Sequence, residues 1–110
     1  MRINFTFRHM DSSEALKDHA SAKLSRLERF EDREMAIDAV FSMEKFQKTA
    51  EFKVSGAHGT FLQTETRDDM FEAIDIAIDK LDRQLARSKE RRKHHKGTQG
   101  TTPSEFDELS

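Results

Sequence analysis

The sequence predicts an α+β domain of element order β-α-β-β-β-α, built as a four-stranded sheet with two helices packed on one face. Three observations carry that reading: four segments alternate apolar and polar residues, two others repeat apolar residues at helical spacing, and the connections between the last three alternating segments are short enough for hairpins. Each helix then offers one apolar stripe and each strand one apolar face. Covering a single sheet face with both helices buries all of them and leaves the other face in water.

The first strand is RINFTFR, residues 2 to 8, with Ile3, Phe5 and Phe7 on one side and Asn4 and Thr6 on the other. Asp11 with Glu14 reads as a capping box, after which Leu16, Ala20, Leu24, Leu27 and Phe30 predict a helix from about residue 13 to 30. After the polar linker EDRE, Ile37, Ala39, Phe41 and Met43 alternate, and so do Phe52 and Val54, giving strands two and three around the FQK connection. The glycines of GAHG, 56 to 59, turn the chain into a fourth strand, TFLQTET, whose inward face the adjacent Phe61 and Leu62 leave open. Asp69 with Glu72 forms a second capping box, and Met70, Ile74, Ala77, Ile78, Leu81 and Leu85 predict a helix over about 69 to 94. A right-handed crossover through the first helix makes strands one and two parallel, and hairpins make the other pairs antiparallel.

A chain of 110 residues holds one core, so residues 1–96 form one domain, and 97–110, with two Gly, the only Pro and an acidic end, read as a flexible tail. With no Cys there is no thiol nucleophile, disulfide or thiolate metal site. No window approaches the roughly 20 apolar residues of a membrane span, and MRINFTFRHMD has no signal-peptide core, so a cytoplasmic location is expected. The five His show no ligand spacing with acids, GAHG lacks the Gly-Lys-Ser/Thr of a phosphate loop, and no Ser, His and Asp arrangement suggests a nucleophile. No catalysis, metal or cofactor is expected. Asp75, Asp79 and Asp82 share a helix side, and a solvated face explains them better than a cation site, since one helix gives few converging ligands.

Charge is segregated. Residues 80–96 carry eight Lys or Arg against Asp82 and Glu90, an excess of six in a chain of net charge −2. Around the second helix Lys80, Arg83, Arg87 and Arg91 fall within an arc of roughly 80°. The helix dipole favours cations only in the last turn, which covers Arg91 to Lys93 but not Lys80, Arg83 or Arg87. On the first helix Lys23 falls inside the apolar arc and must snorkel, while His19, Arg26 and Arg29 make a basic edge. If the helices lie side by side, that edge and the second stripe form a positive groove suited to phosphate contacts. Nearly every Phe sits in a core-facing pattern, Phe46 excepted, so shape recognition of folded RNA is favoured over base stacking. The competing reading is a non-RNA protein-interaction module whose basic helix only solubilises it.

The opening MRINFTFRHMD, the helix SEALKDHASAKLSRLERF, the MEK ending strand two and above all DDMFEAIDIAIDKLDRQLARSKERRKHH resemble the short ribosome hibernation promoting factors and ribosome-associated translation inhibitors, over about residues 1 to 95. Phe71 stands where Tyr is common in that family. The resemblance implies a fold similar to double-stranded RNA-binding domains. It also implies docking at the small-subunit decoding region, where the protein blocks messenger and transfer RNA and idles ribosomes under stress or in stationary phase. It assigns contact with ribosomal RNA to Lys23, Arg26, Lys80, Arg83, Arg87, Lys89 and Arg91, in a protein that is monomeric off the ribosome and takes no small-molecule substrate.

Overall fold

A computed structural model describes residues 1–31 and 34–97, with side chains as far as residue 92. From residue 98 onward the expected tail lies outside the described residues, as do Asp32 and Arg33 of the linker. The elements are β1 (Arg2–Arg8), α1 (Glu14–Leu24), a 3-10 segment (Ser25–Phe30), β2 (Ala36–Glu44), β3 (Gln47–Gly56), β4 (Gly59–Arg67) and α2 (Met70–Gly97). The sheet order is β1-β2-β3-β4, with β1 parallel to β2 and the other two pairs antiparallel. The predicted fold class and strand directions therefore hold.

Register explains the core. Three rows cross the sheet on its inner face: Ile3, Ile37, Val54 and Phe61; Phe5, Ala39, Phe52 and Gln63; Phe7, Phe41, Ala50 and Glu65. The apolar members of these rows join Leu16, Ala20, Leu24, Leu27, Ile74, Ala77, Ile78 and Leu81 in one cluster. Phe61 thus points inward and Leu62 outward, 52% exposed, which resolves the ambiguity left by their adjacency. On β4 the inner positions turn polar at Gln63 and Glu65, because α2 and not the apolar core covers this edge strand.

Two sequence expectations are corrected at the start and end of the first helix. Its cap is Ser13, whose extended backbone (φ −137°, ψ 117°) lets Oγ accept from the Leu16 N–H at 3.2 Å, so Asp11 and Glu14 do not bracket the start. At its other end the helix tightens into 3-10 geometry after Leu24. Ser25 Oγ–H donates to the Ala22 carbonyl at 2.7 Å, a competing local bond. The tightening keeps Leu24, Leu27 and Phe30, spaced by three, buried on one side. Asp69 does cap α2, accepting from the Phe71 N–H at 3.1 Å.

Candidate nucleic-acid interface

The 28 residues of α2 rise about 42 Å, further than β4 needs for cover. With Ile74, Ile78, Leu81 and Leu85 turned to the core, 100° per residue divides its polar residues into two flanks. Asp75, Asp79 and Asp82 face α1, and Lys80, Arg83, Arg87 and Arg91 lie on the β4 side.

The α1 flank is neutralised. His19 Nε2 lies 2.6 Å from Asp75 Oδ1, Lys23 Nζ donates to Asp79 Oδ1 at 3.2 Å and sits 3.7 Å from Asp75, and Arg29 Nη2 donates to Asp82 Oδ1 at 2.7 Å. Lys23 snorkels as predicted, its side chain only 18% exposed. Its charge, however, is spent on α2, and so is that of Arg29. The expected positive groove between the helices is therefore absent, because the basic edge of α1 meets the acidic edge of α2. Asp79 takes Lys23 and not Arg83, which lies four residues on in its own helix, and the aspartates serve as acceptors between helices instead of an idle solvated face. Each exposed pair contributes only about 0–1 kcal/mol, but three in series fix how the helices lie against each other. Lys89 is also on this flank, its Nζ 3.4 Å from the Arg29 carbonyl, and Arg26 is exposed on the 3-10 segment.

On the β4 flank Glu65, a side chain 8% exposed, accepts from Lys80 Nζ at 2.5 Å and pairs with Arg67 Nη1 at 2.9 Å. Beside it Gln63 donates to Gln84 at 3.0 Å. The hydrogen bond from Lys80 holds the Glu65 carboxyl below its ordinary value of 4.5, against the opposing effect of burial. A depressed folded-state pKa contributes stability that is present above about pH 4.5 and lost as pH falls through the lowered value. Thermal melts from pH 6 down to 3 are expected to show this loss, and Glu65→Gln should flatten the slope in that window; an unchanged slope would remove Glu65 from the account. Sequence reading missed Glu65, although a carboxylate two residues beyond Gln63 and four beyond an inward Phe61 was the available sign.

What remains is Arg83, Arg87 and Arg91, exposed on one flank and without a carboxylate partner among the described residues. They lie four residues apart, and the two intervals cover about 12 Å of helix rise. Of the seven residues expected to face RNA, these three stand together, Lys80 adjoins them but is held by Glu65, and Lys23, Arg26 and Lys89 lie elsewhere on the molecule. Three planar guanidinium forks in a row suit a run of phosphate oxygens, which they bind bidentately.

The family described as Sigma 54 modulation protein / S30EA ribosomal protein matches residues 3–93. The chain belongs to that family. Among S30EA relatives, it is 33% identical over 105 residues to a ribosome hibernation promoting factor of Azotobacter vinelandii, covering 96% of each chain. It is 34% identical to the one of Escherichia coli (strain K12), over 86% of this chain and all of that one. Its fold superposes on the Thermus thermophilus Protein Y N-terminal domain with a TM-score of 0.74 at 31% identity, over 79% of this chain and 98% of that one. A ribosomal subunit interface protein from Coxiella burnetii follows at 0.71 and 28%, over 82% and 99%. The S30EA family is non-enzymatic.

Proposed function

We propose that this chain is a cytoplasmic ribosome hibernation factor, which docks its α2 arginine row on small-subunit ribosomal RNA at the decoding region. There it blocks messenger and transfer RNA sterically and keeps ribosomes idle under stress or in stationary phase, with no bond made or broken. Off the ribosome it is monomeric. The observation that carries this reading is that Lys23, Arg29 and Lys80 are held by carboxylates of the same domain, whereas Arg83, Arg87 and Arg91 follow one another along one flank with no carboxylate partner among the described residues. The names of its relatives, hibernation promoting factors and a subunit interface protein, support the choice of the ribosome as the polyanion.

Cosedimentation with purified ribosomes across a salt series tests it. Each neutralised phosphate contributes a slope of about −0.7 to −0.9 in log affinity against log salt, so three arginine contacts give about −2 to −3. Chemical footprinting should show decoding-region nucleotides protected, and bound protein should compete with transfer RNA. Binding that ignores salt, or protection confined to a distant surface, would refute the docking.

A further inference from the structure

We infer that the β2–β3 hairpin tip is a second nucleic-acid contact, in which the Phe46 ring stacks on an unpaired base while Lys45 and Lys48 hold the flanking phosphates. This rests on the ribosome reading and extends it to a surface far along the sheet from Arg91.

Two features disfavoured by folding coincide at the tip. Glu44 pairs with Gln47, so Lys45 and Phe46 alone make the connection, and Lys45 adopts φ 58°, a left-handed conformation for which such loops ordinarily use Asn, Asp or Gly. Phe46 is 82% exposed, whereas the other described phenylalanines pack into the cluster or, like Phe71, against a neighbouring ring. Neither feature serves the core. Backbone outliers cluster at functional sites, and here one adjoins an aromatic ring that folding leaves in water.

The surroundings specify the partner's chemistry. Lys45 and Lys48 flank the ring along the chain, against the exposed carboxylate of Glu44, while Arg67, opposite Lys48 in the β3–β4 register, is already engaged with Glu65. Lysine is depleted at the centres of protein interfaces, which argues against an apolar protein pocket as the occupant. Bases inside a duplex are already stacked, and the ring therefore calls for a base in a loop, bulge or single strand.

Phe46→Ala is expected to weaken ribosome binding about 5- to 150-fold, the range set by the roughly 1–3 kcal/mol that one stacked base contributes. The salt slope should stay unchanged, since no phosphate contact is removed. Phe46→Trp should bind like the parent chain. Because the sequence has no Trp, it also gives a lone fluorophore that protein-free small-subunit ribosomal RNA should quench. Phe46→Leu, apolar but unable to stack, should fall with the alanine variant. Benzoylphenylalanine at position 46 should crosslink to a nucleotide. Parental affinity in Phe46→Ala or Phe46→Leu, or a crosslink to a ribosomal protein, overturns the stacking contact while leaving the ribosome reading intact. A parent chain that does not bind ribosomes overturns both.

Discussion

Arg83→Glu combined with Arg87→Glu is expected to lower ribosome affinity by at least about 100-fold while leaving the melting temperature close to that of the parent. A hydrogen bond to a charged group contributes about 1.5–3 kcal/mol, so losing two removes about 3–6 kcal/mol before the repulsion of the new carboxylates is counted. The salt slope should become shallower by about 1.4–1.8, the share of two phosphates. Both side chains are exposed and neither joins an ion pair among the described residues, so the stability change should stay within about 0.5 kcal/mol. Cosedimentation and thermal melting together decide the matter. Unchanged binding would leave the α2 flank with no part in docking.

The choice of Arg87 in place of Lys80 follows from the structure. On sequence spacing Lys80 and Arg83 are equivalent members of one stripe. In the folded domain, Lys80→Glu would set a second carboxylate against the buried Glu65, and the variant would lose stability through repulsion between like charges. Weak binding by that variant would report a damaged β4–α2 joint as readily as a lost RNA contact. The arginine pair separates the two.

The difference between these residues marks where the sequence stopped being informative. Period-2 alternation disclosed β1, β2 and β3, because their inner positions are apolar from Ile3 to Phe7, Ile37 to Met43 and Ala50 to Val54, but β4 alternates on Phe61, Gln63 and Glu65, and its inner face is legible only once α2 supplies Gln84 and Lys80 as partners. The apolar stripe of α2 and its Asp69 cap were equally plain, since both are local. Helix adjacency was not local, and a positive groove was drawn where a neutral seam exists. A clue was nevertheless present: His19 and Lys23 are four apart, as are Asp75 and Asp79, and both contacts bridge the same separation of 56 residues. Two rows of complementary hydrogen-bonding groups at equal spacing suit helices lying side by side, and the constant separation of 56 shows that they run in the same direction. The same logic explains why the sequence grouped Lys23 and Lys80 with Arg83, Arg87 and Arg91, although the fold gives only the first two a carboxylate partner among the described residues. Their helical angle was available from the sequence, whereas the acids that neutralise some of them lie on other elements.

Phe41→Ala is expected to produce the opposite signature, a large fall in stability with docking chemistry untouched. Phe41 is fully buried at the centre of the sheet, its ring 5.9 Å from that of Phe5, 5.4 Å from Phe7 and 5.8 Å from Phe52, with the last two meeting it edge-on. Truncation leaves a cavity that three neighbouring rings cannot fill and costs about 3–5 kcal/mol, out of a total of about 5–15 for a domain of this kind. Even the lower figure lowers the melting temperature by at least about 12 °C. No cation of the α2 flank touches Phe41, so at temperatures where the variant is folded the arginine row is presented as before. Apparent ribosome affinity should then fall only by the fraction of chains unfolded, and binding should in turn raise the melting temperature. A loss of affinity far beyond the unfolded fraction, measured by circular dichroism on the same sample, would mean that the packing of the sheet sets the course of α2 closely enough to misalign its arginines. Melting unchanged from the parent would show that the aromatic cluster is not what holds β1 and β3 to β2.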